Sequence, residues 1–313
     1  MSESFAWTPL LVAGAAAAVG RGTPIALAAL GEGISEKSGV MNLGVEGMML
    51  VGALTGFVVQ VHTGNPALAI LGAGLAAAML SSVHAALVLL CDANQIVSGF
   101  ALTILGTGLS GFFGRPYVGV KLIGPEQIPL PVLRRIPYLG EILFQQDIFV
   151  YLTLVLTAGA WFLLYRTRFG LNIRAVGEDP EPAFAQGVPV RRTRFIAILI
   201  GGFLAGVGGA HLSVANTQVW AERMTSGQGW IAIGLVIVAR WRPIPCLITA
   251  WVFGAMLVIH PYLQGSGIEV SPYLIGMIPY IAAVGALVVV TVLHRRSGHG
   301  MPASLARQLN LPE

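Results

Sequence analysis

Hydrophobic residues run along this chain in long blocks instead of alternating with polar ones. Blocks bounded by charge, Gly or Pro fall at 8–31, 43–62, 66–91, 95–114, 148–166, 194–217, 226–240, 243–263 and 271–293. Most reach the roughly 20 apolar residues that a helix needs to cross a hydrocarbon core. The pattern predicts an all-α, polytopic helical membrane protein with about eight to ten transmembrane segments by that length rule, in a single transmembrane domain over 1–313. Two blocks are irregular. Arg21-Gly22-Thr23-Pro24 interrupts the first and 226–240 is short, so each is expected to be broken or re-entrant, with protein or a water-filled cavity satisfying its free backbone groups.

Composition narrows the function classes. The chain is 55% hydrophobic and 10% charged, against about 25% charged residues in a soluble domain, which leaves no room for a separate soluble catalytic domain. Forty glycines suit membrane helices whose backbones approach closely. The formal charge of +4 is too small to suggest a nucleic-acid partner. Cys91 and Cys246 lack the clustering of a metal site or a disulfide framework. Met1 to Pro9 carries no Lys or Arg, so the first span is expected to remain and not to be cleaved as a signal peptide.

The distribution of charge sets an orientation, because short cytoplasmic loops carry the excess of Lys and Arg. Arg166, Arg168, Arg174, Arg191, Arg192 and Arg194 flank 167–193, which is expected to be a cytoplasmic loop. Alternation through nine spans then places Lys37, Arg240, Arg242, Arg295, Arg296 and Arg307 inside too, twelve of the eighteen basic residues, and the N-terminus outside. The opposite face receives Arg115, Lys121, Arg134, Arg135 and Arg223. There 115–147 holds Pro116, Pro125, Pro129, Pro131 and Pro137, too many for a spanning helix, and is expected to be an external loop. Glu46-Gly47 followed by Gly52 recurs as Gln228-Gly229 followed by Gly234, on helices that would run in opposite directions. Inverted repeats and chance in a Gly-rich chain both account for it.

No phosphate-cradling GxxxxGK[ST], HExxH or GxSxG occurs. Gly106-Thr107-Gly108-Leu109-Ser110-Gly111 spells GxGxxG, but at the end of an apolar block, where it reads as helix packing. Charge within or beside a span marks function by default. Glu32, Glu36, Lys37 and Glu46 surround 31–47. Glu46 either caps its own helix N-terminus, where a carboxylate is favoured, or lies with Asn42 and Gly47 along a translocation path. Leu50, Val51 and Leu54 would add apolar surface beside it, and Trp220, Trp230, Trp241 and Trp251 are candidate aromatic surfaces or interface anchors. Asp92, Asn94 and Gln95 read as a solvated turn and helix cap. In the arginine-flanked loop, Glu178, Asp179, Pro180 and Glu181 precede a short run ending at Gly187, which describes a helix of two or three turns with an acidic cap and a Gly stop.

Three stretches carry a family likeness. Ser38-Gly39-Val40-Met41-Asn42-Leu43-Gly44-Val45-Glu46-Gly47-Met48-Met49, Asn94-Gln95-Ile96-Val97-Ser98-Gly99 and Ile173-Arg174-Ala175-Val176-Gly177-Glu178-Asp179-Pro180-Glu181 resemble the permease subunits of bacterial ABC importers. The likeness is to the branched-chain amino acid and simple-sugar class, and within it to nucleoside-type permeases. In that family the loop helix carries an EAA-xxx-G pattern that docks on the ATPase. Glu181, Ala183 and Gly187 match it, while Pro182 replaces the first Ala and puts the helix start in question. The resemblance implies a multi-pass protein of the bacterial inner membrane that binds no cofactor itself. Its partners would be ABC ATPase subunits that use the ATP, a second permease chain or a second copy of this one, and an external substrate-binding lipoprotein docked near Arg115, Arg134 and Arg135. The solute would be a nucleoside, with a simple sugar, riboflavin or an amino acid as alternatives. A membrane-embedded enzyme acting on a lipid, with Glu46 as acid or base, is the reading of another class.

Overall fold

The chain, in a computed structural model describing residues 4–131, 133–265, 271–294 and 301–308, opens with four helices. These are α1 (Ser4–Lys37), α2 (Val45–Thr63), α3 (Pro66–Leu90) and α4 (Gln95–Gly114). An irregular stretch with the short α5 (Leu139–Leu143) leads to α6 (Ile148–Arg166), α7 (Arg168–Glu178), α8 (Pro180–Ala185) and α9 (Val190–Ala210). A π-helical turn, His211–Asn216, extends α9. Then come α10 (Gln228–Val238), α11 (Pro243–Gly265), α12 (Pro272–His294) and α13 (Ala303–Gln308). Asn65, Asn94, Asp147 and Thr167 open α3, α4, α6 and α7 by accepting hydrogen bonds from N–H groups of the first turn, which have no partner inside the helix.

Among the described residues, six helices are long and apolar enough to cross a membrane: Leu11–Lys37, Val45–Thr63, Pro66–Leu90, Gln95–Tyr117, Ile148–Arg166 and Val190–Asn216. Shorter apolar stretches, Gln228–Val238, Pro243–Ile259 and Gly276–Val289, occupy the positions of the last three expected spans. Arg295 and Arg296, counted in the charge argument, lie outside the described residues. α1, α2 and α9 form the centre: α1 packs on α9 and α11, and α2 and α3 both pack on α9. Glycines permit this closeness. Gly52 of α2 meets the backbone of Gly206 on α9, and Gly31 of α1 meets that of Gly201, so dispersion between backbones replaces side-chain interdigitation.

The expected break in the first span does not occur, since α1 is continuous for 34 residues and carries Glu32, Glu36 and Lys37 within it. Pro24 has no N–H to give the Gly20 carbonyl, and that carbonyl instead accepts a hydrogen bond from Asn216 Nδ2 at 3.2 Å. Thr23 Oγ1 donates to the Val19 carbonyl at 2.7 Å and Gly22 lies against the backbone of Ala250 on α11. The segment that looked like a break is the place where three elements meet.

Beyond Tyr117, where the fourth candidate span ends, the described residues of 115–147 contain no spanning helix. The stretch holds a 3-10 turn at Arg115–Tyr117, another at Leu133–Arg135, and a ribbon pairing Ile128–Pro129 antiparallel to Gln145–Gln146, a small β addition to the expected all-α fold. Val118 and Lys121 bridge to Trp220 and Val219, tying this stretch to the segment after the π-helical turn. Asn216→Leu should remove the partner of the half-buried Gly20 carbonyl and destabilise the protein by about 0.5–1.5 kcal/mol, the net worth of one hydrogen bond. Thermal unfolding in detergent measures this, and an unchanged midpoint would show that α1 needs no help at Pro24.

Candidate functional site

Gln218, Arg223, Ser226 and Gly227 all have positive φ, so the chain between the π-helical turn and α10 follows an irregular, non-helical course. α10 itself has 11 residues, about 16 Å of helix, half of a hydrocarbon core roughly 30 Å thick. Its start needs acceptors: the Thr225 carbonyl takes the Gln228 N–H at 2.9 Å, and one side chain takes the N–H groups on either side of it. Glu46 Oε1 accepts from Thr225 Oγ1 at 2.6 Å and from the Gly227 N–H at 2.8 Å, and Oε2 accepts from the Gly229 N–H at 2.7 Å. Glu46 is buried. Of the two readings open for it, capping its own helix is replaced by capping α10 across the bundle. The two halves of the sequence echo, at Glu46 and Gly229, are in direct contact.

The loop between α1 and α2 is held from several sides. The Asn42 N–H donates to Glu32 Oε1 at 2.7 Å, Asn42 Oδ1 accepts from the Gly44 N–H at 3.0 Å, and Asn42 Nδ2 lies 3.3 Å from Met48 Sδ. Both polar groups of the Met41 backbone are taken by side chains. Its N–H donates to Gln95 Oε1 at 2.9 Å, and its carbonyl lies 3.1 Å from His84 Nε2, whose Nδ1 meets Ser98 Oγ at 3.0 Å. Gly47 packs on Leu102, Thr103 and Gly106 of α4, and Gly99 packs on Leu43 and Gly44. Gly106 therefore does serve helix packing. Trp241 Nε1 donates to Glu36 Oε2. The first two resemblance stretches thus build one structure, and Gln95 is part of it instead of a solvated turn residue.

The third stretch docks on the same end. Gly177 of α7 packs on the Lys37 carbonyl. Asp179 Oδ1 accepts from the Glu181 N–H at 3.3 Å and opens α8. α8 has six residues, shorter than the expected two or three turns, because the acidic run divides between α7 and α8. Pro180 and Pro182 fall within its first turn, where no intrahelical N–H is needed, so Pro182 does not disturb the start. Gly187, with φ +81°, stops it in the left-handed conformation that glycine tolerates, with the Val188 N–H on the Ala183 carbonyl at 3.0 Å. Ala183 is buried, Glu178 and Glu181 are exposed, and Phe184 is 73% exposed. Arg115, Arg134 and Arg135 are exposed on the two 3-10 turns of 115–147.

Two features had little sequence signal. His211, at the π-helical turn, lies 3.1 Å from Asp147 Oδ2 and stacks on Phe149 with ring centroids 5.0 Å apart. Burial works against the charge on Asp147, but the hydrogen bond and charge of His211 and the N–H groups of Val150 and Phe149 outweigh it and hold the carboxyl below its usual pKa. α13 is the other. Ser304 Oγ donates to the Gly177 carbonyl at 2.6 Å and Arg307 Nη1 lies 3.5 Å from Asp179 Oδ2. An Asp before an apolar run signals the first; nothing in the composition signals the second.

A helical bundle with an irregular descent into it, a half-length helix capped across the bundle, and a short helix presenting an exposed Phe beside arginines defines a membrane-embedded transport subunit. The family described as the permease component of the branched-chain amino acid transport system matches residues 14–293, and the chain belongs to that family. TsgC13 of Haloferax volcanii, provisionally named a glucose ABC transporter permease, is 41% identical over 94% of this chain and 96% of its own. The guanosine permease NupQ of Bacillus subtilis and the nucleoside permease NupC of Lactococcus lactis are 35% and 32% identical, each over 84% of this chain and 87% of their own. No solved structure matches. The chain is therefore a multi-pass inner-membrane ABC permease for a small polar solute, a transporter subunit and not an enzyme on lipid, in a family that works with ATPase and substrate-binding partners.

Glu46→Ala should destabilise the solubilised protein by about 1–3 kcal/mol for each buried donor it leaves unpaired, while Glu46→Gln, which keeps an acceptor, should cost less. Equal losses in thermal unfolding would refute the capping role. For Asp147 the folded pKa is lowered, so its contribution is fully present above the ordinary value of about 3.9 and is lost as pH falls through the folded value. The stability difference between wild type and Asp147→Asn should shrink below about pH 4; a difference independent of pH there would contradict it.

Proposed function

We propose that this permease carries a solute with a sugar ring, a nucleoside or a simple hexose, into the cytoplasm. What supports the solute is the pair of names among its relatives: two nucleoside permeases, and a glucose permease at higher identity over more of the chain. The glucose relative widens the expectation from nucleoside alone. Purified complex with its receptor, reconstituted in proteoliposomes, would be offered labelled guanosine and D-glucose. Uptake of one or both fits the reading and names the solute, whereas uptake of neither would overturn it.

In this reading 167–193 is cytoplasmic and residues 178–187 contact the ATPase, with Glu178, Asp179, Pro180, Glu181, Ala183 and Gly187 shaping the contact. The observation that carries it is Phe184, 73% exposed at the tip of a capped six-residue helix between arginine clusters. An apolar ring held in water is a docking feature when it sits on a rigid support. Asn42, Glu46 and Gly47 border the solute path, and 115–147, through Arg115, Arg134 and Arg135, faces the external receptor. A second permease, like or unlike this one, completes the pore.

A cysteine at position 184 should react with impermeant reagents only from the inside; labelling from the outside alone would invert the topology. Glu181→Arg or Gly187→Val should leave the protein in the membrane and lower uptake per ATP hydrolysed by at least about fivefold, the lower end of usual coupling energies. Unchanged uptake per ATP would remove α8 from the ATPase contact. Charge reversal at Arg134 and Arg135 should weaken receptor docking most at low salt, where exposed charges are least screened.

A further inference from the structure

α13 lies beyond the membrane-spanning helices, yet it is not a loose tail. Leu305 and Ala306 are buried, so the helix is seated by an apolar face. Its polar groups address three consecutive residues of the α7–α8 junction. Ser304 Oγ donates to the Gly177 carbonyl at 2.6 Å, the Ala303 N–H donates to Glu178 Oε2 at 3.4 Å, and Arg307 pairs with Asp179 at 3.5 Å. The last link is the informative one. Asp179 Oδ1 caps α8 while Oδ2 meets Arg307, so α13 holds the residue that starts the ATPase-facing helix.

On its other side α13 reaches the loop that leads to the solute path. Gly39, with φ +84°, packs against Ser304, and Gly177 packs on Lys37. Arg194 Nε donates to the Ser38 carbonyl at 3.0 Å, and Ser35 Oγ donates to the Val40 carbonyl at 2.9 Å. One hydroxyl, that of Ser304, therefore touches both the coupling segment and the α1–α2 loop. A cleft of about 320 Å³ borders Leu305, Met41 and Arg194.

We propose that α13 is a positioning clamp that locks the α8 coupling helix to the 38–41 loop, with Ser304 and Arg307 as its positioning residues. It rests on the reading of α8 as the ATPase contact. A push on Phe184 is delivered through Asp179 and Gly177 to Lys37 and Ser38, and so to the loop that carries Asn42 and leads into α2 at Glu46. Without the clamp, α8 would still bind the ATPase, but its displacement would be absorbed at the α7–α8 junction. The exposed Arg307–Asp179 pair contributes little energy alone; its role is to fix direction, and the hydrogen bond from Ser304 and the burial of Leu305 hold the seat.

Two measurements on the full chain in its copurified complex test this. Hydrogen exchange reads the clamp itself: Ser304→Ala combined with Arg307→Glu should raise exchange across 177–187 and 38–41 while the spanning helices stay protected. In proteoliposomes the same variant should hydrolyse ATP at near the wild-type rate and move roughly fivefold less solute per ATP, the factor expected for a lost hydrogen bond. Ser304→Thr, which keeps the hydroxyl, should behave as wild type. Unchanged exchange would overturn the clamp, and raised exchange with unchanged solute per ATP would overturn its part in coupling. Normal ATPase binding by a complex in which residues 181–187 are altered and α13 is intact would refute the α8 contact, and this proposal with it.

Discussion

A non-helical segment inside a membrane bundle exposes N–H groups that lipid cannot satisfy, and here one carboxylate removes the problem. Glu46 gives both oxygens to Thr225, Gly227 and Gly229, letting the chain run irregularly from the π-helical turn to a half-length α10. Without those acceptors the start of α10 would carry unpaired donors at a cost of several kcal/mol. That pairing fixes the start of α10 against α2, while α9 packed on α1, α2 and α3 holds the two halves of the bundle together.

The same logic organises the 38–47 loop. Its backbone is short of regular partners, and side chains from other helices supply them: Glu32 from α1, Gln95 from α4, and His84 from α3, whose ring is held in turn by Ser98 of α4. Loops so tied do not move independently of the helices that tie them. A displacement of α4 or α1 is felt at Met41 and Asn42, which gives the polar loop of a transport subunit a mechanical connection as well as a chemical surface.

Much of this was legible in the sequence because apolar length and local chemistry are local properties. The blocks at 43–62, 66–91, 95–114 and 148–166 coincide with helices to within a few residues, and the Asp179 cap and Gly187 stop were readable from residue type alone. What was not legible is pairing at long range. Pro24 looks like a break until Asn216, far along the chain, takes the carbonyl it frees. Glu46 looks like the cap of the helix it begins until residues some 180 positions away claim it. Ser304 in a polar tail has no local signature of its contact with Gly177.

These long-range pairs share a direction. From Phe184 the solid contacts run through Asp179 and Gly177 to Lys37, along the Ser35–Val40 turn to Met41 and Asn42, and on to Glu46 and the start of α10. Between Gly177 and Asn42 the steps are backbone contacts, hydrogen bonds or the chain itself, and the last step, to α10, is made by the Glu46 side chain. Gly39 and Gly177 matter here because each allows backbone or hydroxyl to approach where a Cβ would intrude. A stiff sequence of this kind transmits displacement because its members cannot repack separately, and it joins the end that faces the arginines to the irregular backbone within the bundle. Residues 35–46 and 177–179 supply most of its members.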